Sequence, residues 1–281
     1  MAIIGFWSGS KKETGQTLSI TSIATHMSIE HNYKILLIDA TFDDDTMERC
    51  FWTVNDKKSV AQVLSKGKLD ISSGTEGLLT AVASNKITPE IVKNYTRVVF
   101  NNRLDVLCGL KTHSPEEFTR ALIHYNDLVK TADKSYDMVF VDMEKTLKYE
   151  TTKLLLEESN LVVYNFTKNR KQAEEYLKYM EENKDILKKE KMMPMLSNAD
   201  DNTLYNTRNI TRFIGERKEI PAIPYNSSFV RVASEAGVAN YFLKTRLHQN
   251  SSNDKDAMFQ KAVEHACQKI IKRLEELKYK V

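Results

Sequence analysis

The chain has 281 residues, 41% of them hydrophobic, enough for one large α/β domain or two smaller ones. Its 41 lysines and arginines against 38 acidic residues leave a net charge of +3, too small to mark a nucleic-acid protein by itself. Three scattered cysteines (Cys50, Cys108, Cys267) give neither a disulfide framework nor metal-ligand spacing, and no apolar run is long enough to span a bilayer. A soluble cytoplasmic protein without direct membrane insertion is the expectation.

Ile3, Ile4, Phe6 and Trp7 predict a first strand, and Leu18, Ile20, Ile23, Ala24 and Met27 predict the helix that follows it. The run from Lys34 to Asp39 is continuously apolar and ends in a carboxylate, the pattern of a strand buried on both faces. Thr88-Pro89-Glu90 and Ser114-Pro115-Glu116-Glu117 are helix starts, each with a capping hydroxyl and a proline in the first turn. Leu104 to Cys108 is a short strand closed by Gly109; Asp137 to Asp142 and Leu161 to Phe166 are further buried strands. Met192 to Leu196 and Ile220 to Ile223 are weaker, and their prolines predict sheet edges or strand ends. Gly215 and Gly237 read as helix stops. From Asp254 to Lys280, the residues Phe259, Ala262, Val263, Ala266, Ile270, Leu274 and Leu277 form one apolar stripe, an amphipathic helix expected to pack on the domain.

Apolar runs alternating with helical patterns predict a mostly parallel twisted sheet flanked by helices in three layers. The whole of 1–281 reads as a single domain, with 246–281 a C-terminal amphipathic helical extension.

The segment from Ser8 to Thr17 lies between the first strand and the first helix, where a phosphate loop belongs. The usual pattern is Gly, four residues, then Gly-Lys-Ser/Thr. Ser10 takes the place of the first glycine, Gly15 keeps the second, Gln16 replaces the lysine, and Thr17 keeps the hydroxyl that touches magnesium. Ligands bind at the carboxyl ends of such strands, and two apolar strands close there with Asp39 and Asp142. Asp142 is placed to hold magnesium or its water, and Asp39 to position water or metal near a terminal phosphate.

These residues resemble the ParA/MinD group of deviant Walker A phosphate-loop ATPases. The family loop reads Lys-Gly-Gly-x-Gly-Lys-Thr. Laid on this chain, its signature lysine falls on Lys11, its second lysine on Gln16 and its threonine on Thr17. The family's second motif, Leu-Ile-Asp-x-Asp, falls on Leu37 to Thr41, so its second aspartate becomes Thr41; the third motif matches Tyr136 to Asp142. The resemblance covers the chain to about residue 245 and implies a SIMIBI-type P-loop fold.

It also implies a site. Ser10, Lys11, Lys12, Glu13, Thr14, Gly15, Gln16, Thr17 and Leu18 would hold the phosphates of ATP. Thr17, Asp39 and Asp142 would hold Mg2+, and Asp39 and Lys11 would act in any catalysis, Lys11 across a homodimer. Asn198, Pro224 and Asn226 would meet the base; Asn198 reads equally well as a turn residue. Losing the lysine at position 16 weakens nucleotide about ten- to a hundredfold, since a hydrogen bond to a charged group contributes roughly 1.5–3 kcal/mol. Asp43, Asp44 and Asp45 read as a solvated switch loop or as a substitute for the missing aspartate.

Three functions follow. The first is a weak ATP/Mg switch that dimerises and positions a secretion or pilus, conjugation or partition complex, as the TadZ-like members of the group do. It could be recruited to a pole or the inner membrane face through protein partners. The second is a pseudo-ATPase adaptor that binds no nucleotide. The third is an active ATPase using Lys11 or Lys12. Nonspecific DNA binding would need Arg208, Arg212, Arg217, Lys218, Arg231, Lys244 and Arg246 to share one face.

Overall fold

The computed structural model describes residues 2–9, 14–54, 74–145, 150–199, 206–246 and 254–278. It begins with β1 (Ala2–Trp7), α1 (Gln16–Glu30), β2 (Ile35–Ala40) and a short α2 (Thr46–Phe51). Then come α3 (Gly74–Ala83), α4 (Pro89–Tyr95), β3 (Arg97–Phe100), β4 (Leu104–Leu107), α5 (Pro115–Leu122), α6 (Tyr125–Ala132) and β5 (Met138–Met143). The second half holds α7 (Glu150–Glu158), β6 (Leu161–Phe166), α8 (Arg170–Glu182), β7 (Met192–Ala199), α9 (Thr207–Phe213), β8 (Ala222–Pro224), α10 (Ser227–Ser234), α11 (Val238–Thr245) and α12 (Lys255–Lys278).

The eight strands form one sheet in the order β3-β4-β2-β5-β1-β6-β7-β8. All pairings are parallel except that of β3 with β4. β1, β2, β5 and β6 are buried at every position, as their unbroken apolar runs require for a sheet covered on both faces. Alternate residues serve two cores. Ile4, Phe6, Leu37 and Phe140 pack with residues of α1, α10, α11 and α12; Ile3, Trp7, Leu36 and Val139 pack with residues of α3 through α9. Full burial of each such side chain contributes roughly 1.5–3 kcal/mol.

Helix starts behave as their sequences dictate. The Thr88 and Ser114 hydroxyls accept from Ile91 N and Glu117 N, with proline in the first turn of each helix. Two expectations are corrected, and one strand is added. β7 is an interior strand, paired with both β6 and β8. Its Pro194 pairs with Tyr164 of β6 and is tolerated because its missing N–H faces the other side, where Leu196 N already bonds Pro221 O ahead of β8. The left-handed residue after α10 is Ala236 (φ 58°), not Gly237, whose φ of −103° places it at the start of α11. The antiparallel edge strand β3, half-exposed and carrying Arg97, was not expected from the sequence.

α1 is buried almost all round, because α12 lies across it. Its polar residues survive burial by bonding their own helix: Thr21 Oγ1 donates to Thr17 O (2.7 Å), Thr25 Oγ1 to Thr21 O (2.7 Å) and Ser28 Oγ to Thr25 O (2.8 Å).

Candidate functional site

The chain leaves β1 toward α1 on one face of the sheet and leaves β5 toward α7 on the other. Loops that diverge in this way from neighbouring strands open a crevice at their carboxyl ends. Thr14, Gly15, Gln16, Thr17, Asp39 and Asp142 all meet there.

Gly15 caps α1 with a left-handed backbone (φ 70°) and no side-chain cap. A β-carbon at this position would lie 2.8 Å from Asn198 Nδ2, so the glycine is required by its neighbour on β7 as well as by its own backbone. Asn198 is itself left-handed (φ 49°) and braces the loop from beneath. The first turn of α1 carries no acidic residue. An uncapped helix start of this kind, with no acidic residue in its own first turn, suits an anion.

Gln16 is turned the other way. Its Nε2 donates to Asp142 Oδ1 (2.6 Å), Met143 O (2.8 Å) and Phe6 O (3.1 Å), and the side chain is buried. Three oxygens around one terminal atom identify it as the nitrogen. The residue at the lysine's place therefore ties the ends of β1 and β5 together, and only its backbone is left to meet a phosphate.

Asp39 and Asp142 are register partners on β2 and β5, 2% and 0% exposed. Asp39 Oδ1 accepts from Thr41 N (3.0 Å) and Thr41 Oγ1 (2.6 Å), so the residue at the family's second aspartate serves the first. A β-carbon on Gly109 would lie 2.9 Å from Asp39 Oδ2, which explains the glycine that closes β4. Burial, then the charge of Asp142, raises Asp39 well above the usual carboxylate range. Burial likewise pushes Asp142 up to about 6, against the opposing effect of the Thr17 and Gln16 side chains.

The site fits a hard cation. Asp142 Oδ2, Gln16 Oε1 and Thr14 Oγ1 are buried without a hydrogen-bond partner among the described residues. Each is an oxygen, the donor type Mg2+ prefers, and Thr17 stands beside them. No three His, Cys, Asp or Glu side chains converge among the described residues, so a cation here would draw on hydroxyl and amide oxygens as well as carboxylates.

Other expected residues fall elsewhere. Ser10, Lys11, Lys12 and Glu13 lie outside the described residues. Leu18 is partly buried against the core. Asn226 caps α10, its Oδ1 accepting from Phe229 N (2.7 Å), while its Nδ2 donates to Asp256 Oδ1 (2.9 Å) and Lys255 O (3.2 Å). Its amide is thus committed to joining α10 and α12, leaving Pro224 and the exposed Tyr225 as the open part of that turn. The acidic run is committed too: Asp43 bonds His113 (2.6 Å), Asp44 accepts from Thr46 N (2.8 Å) and Asp45 pairs with Arg49 (2.8 Å). The basic residues considered for DNA are divided, since α9, with Arg208 and Arg212, covers one face of the sheet and α10 and α11, with Arg231 and Lys244, cover the other. Arg246 pairs with Glu30 (2.9 Å). Glu144 carries no signal in the sequence; its Oε2 accepts from Phe42 N (3.0 Å) and fastens the loop after β2 to the loop after β5.

The same fold recurs in solved structures. The ParA family ATPase of Chlorobium tepidum TLS aligns over 94% of this chain and 98% of its own with a TM-score of 0.70 and 16% identity. The fold is that of the ParA and MinD ATPases. The cell division ATPase MinD of Pyrococcus furiosus gives a TM-score of 0.66 at 12% identity, covering 96% of this chain and 100% of that one. A plasmid partition protein of Borrelia burgdorferi B31, solved with AMPPNP, gives 0.59 at 15% identity over 96% and 99%. At these identities the likeness is one of fold. The sequence matches no protein-family model and no curated protein. No helix among the described residues is long and apolar enough to cross a membrane.

Proposed function

We propose that the chain is a nucleotide-dependent positioning switch of the ParA/MinD kind, with a degenerate Walker A loop. It binds ATP with Mg2+ weakly, dimerises around it, and hydrolyses it slowly or not at all. The observation that carries this reading is the inward turn of Gln16 onto Asp142 beneath a helix start that stays open. Thr17 and Asp142 would hold the metal, and the first turn of α1 the phosphates. Bound Mg2+ would supply the charge that draws phosphate oxygens to the loop. No side chain among Thr14, Gly15, Gln16, Thr17 and Leu18 is a cation, so charge on a transferring phosphoryl group would rest on metal and on Lys11 from the partner of a dimer. The structures of similar fold include a partition protein with AMPPNP and a MinD with Mg-ADP, which supports nucleotide as the ligand class. The output would be the placing of a secretion or pilus, conjugation or partition complex through protein partners.

One observation favours a second reading, the adaptor that binds no nucleotide. Gln16 Nε2 and Asp39 Oδ1 find hydrogen-bond partners within the chain, so these two side chains are held in place without a ligand. Calorimetry with ATP and magnesium, with light scattering alongside, separates the two. Saturable heat accompanied by a doubling of mass supports the switch. No heat at millimolar ATP and an unchanged mass would leave the adaptor.

A further inference from the structure

We propose that this site takes a divalent cation without nucleotide, using Gln16 Oε1 as a ligand beside Asp142 Oδ2. The residue that replaces the lysine would then be a metal ligand in place of a phosphate ligand. The inference deepens the switch reading and rests on it only for the order in which cation and nucleotide load.

The geometry that leads here is local. Gln16 Nε2 already faces three acceptors with two hydrogens, which fixes the carboxamide in one orientation. The other ends of both groups are orphaned: Gln16 Oε1 and Asp142 Oδ2 have no partner among the described residues, at 2% and 0% exposure. They belong to two side chains joined through their other ends, Gln16 Nε2 donating to Asp142 Oδ1 at 2.6 Å. Buried oxygen atoms in this state need a donor or a cation. The Thr17 side chain is the nearby donor whose hydrogen bonding favours the charged form of Asp142. Thr14 Oγ1, two residues before Gln16 and also buried without a partner, adds a third oxygen.

Charge selects a divalent cation. Asp39 faces Asp142 across the β2–β5 pair, and Asp44 adds to the negative field at both. Lys145 is the described cation whose charge reaches Asp142, and its effect is the smallest of those acting there. A lysine at position 16 would have placed an ammonium against these carboxylates. Glutamine leaves that role open and contributes an oxygen of the kind Mg2+ and Mn2+ coordinate.

The test is Mn2+ titration of the full chain, stripped of metal and free of nucleotide, followed by electron paramagnetic resonance of the unbound ion. Wild type should take up about one Mn2+ per chain. Gln16→Lys keeps N–H donors for Phe6 O, Met143 O and Asp142 while removing the oxygen, and should weaken uptake at least tenfold, about 1.4 kcal/mol, with the thermal transition retained. Asp142→Asn, which keeps the shape and the acceptor, should weaken it as well. No saturable uptake by wild type at millimolar Mn2+, or equal uptake by a folded Gln16→Lys, would overturn the inference. A parallel titration with AMPPNP and Mg2+, read by the fluorescence of Trp7 beside Gly9, keeps the two readings apart. AMPPNP binding without nucleotide-free Mn2+ uptake sinks the cation site alone. Gln16-dependent Mn2+ uptake without AMPPNP binding supports the site and sinks the switch.

Discussion

Replacing Gln16 by methionine removes the amide while keeping the length and most of the volume of the side chain. Three acceptors then lose their donor: Asp142 Oδ1, Met143 O and Phe6 O. The bond to the carboxylate contributes roughly 1.5–3 kcal/mol and each bond to a carbonyl roughly 0.5–1.5 kcal/mol. The metal-free protein should therefore lose about 2.5–6 kcal/mol at pH 7.5, a large part of the stability of a domain. The loss should depend on pH. Asp142 takes up its proton at about 6 in the folded chain, so below that value its carboxyl is neutral and needs the donor less. At pH 5 the same substitution should cost less, about 1.5–4.5 kcal/mol, the worth of three bonds between neutral groups. Urea unfolding in EDTA, followed by the fluorescence of Trp7 and Trp52, measures both values. A loss below about 1 kcal/mol at pH 7.5, or one that is the same at both pH values, would refute the idea that this amide supports the buried carboxylate.

Gly15→Ala should destabilise by about 1–3 kcal/mol, because the backbone is left-handed and the new β-carbon meets Asn198; pairing it with Asn198→Gly should recover part of the loss in a double-mutant cycle. Two linkages should oppose each other in metal-free protein. Asp142 is raised from 3.8 to about 6, so its folded form binds more protons and its ionisation lowers stability by about 3 kcal/mol as pH rises through that window. His26 is lowered from 6.5 to about 4, mainly by burial, with Glu264, His31 and Arg246 around it and its Nε2 unpartnered; it withholds about 3 kcal/mol as pH falls from 6.5 to 4. Stability from these two groups should be nearly flat between pH 6 and 4. Over the same range Asp142→Asn should become less stable as pH falls and His26→Leu more stable, and denaturant midpoints that moved in the reverse sense would contradict these assignments. At pH 7.5 Asp142→Asn should be more stable than wild type by about 1–3 kcal/mol, as expected for a residue kept for binding at a cost in stability.

The fold was legible because its signals are local and strong. Four strands read as unbroken apolar runs, and Asp39 and Asp142 stood at the ends of two of them. The caps at Thr88 and Ser114 followed from a hydroxyl and a proline. β3 was missed because it is short, half-exposed and antiparallel, so it has neither the run nor the alternation that marks a strand. Loop geometry decided Ala236 over Gly237, and no neighbouring residue type predicts that choice. At the site, Gln16 was legible as the loss of a cation. Its new partners were not, since Asp142 lies 126 positions away and Met143 and Phe6 engage it through backbone oxygens that have no sequence signature. Asn226 shows the converse, with a polar side chain in a suggestive turn drawn off by α12, an element nearly 30 residues downstream.

On the proposed reading, a phosphate loop with Gln16 where a lysine is usual faces a problem of charge before one of catalysis. In this chain two carboxylates remain buried side by side at the ends of β2 and β5. Left alone, that pair would drive protonation or local opening. The structure answers with neutral dipoles: the Gln16 amide on Asp142, and the Thr41 amide and hydroxyl on Asp39. These dipoles offset part of the charge and leave the rest, which is why both carboxyls still sit above their ordinary range. Had the acidic pair served no ligand, replacing either aspartate by asparagine would relieve the chain at no cost. The presence of this pair beside a neutral Gln16 is what the proposed cation site requires. The comparison that decides this is Asp142→Asn against Gln16→Lys. Both remove net negative charge, so both should stabilise the metal-free protein and both should abolish the further stabilisation that added Mg2+ gives wild type. If Mg2+ fails to raise the unfolding midpoint of wild type, the buried pair is a relic and the argument from charge fails.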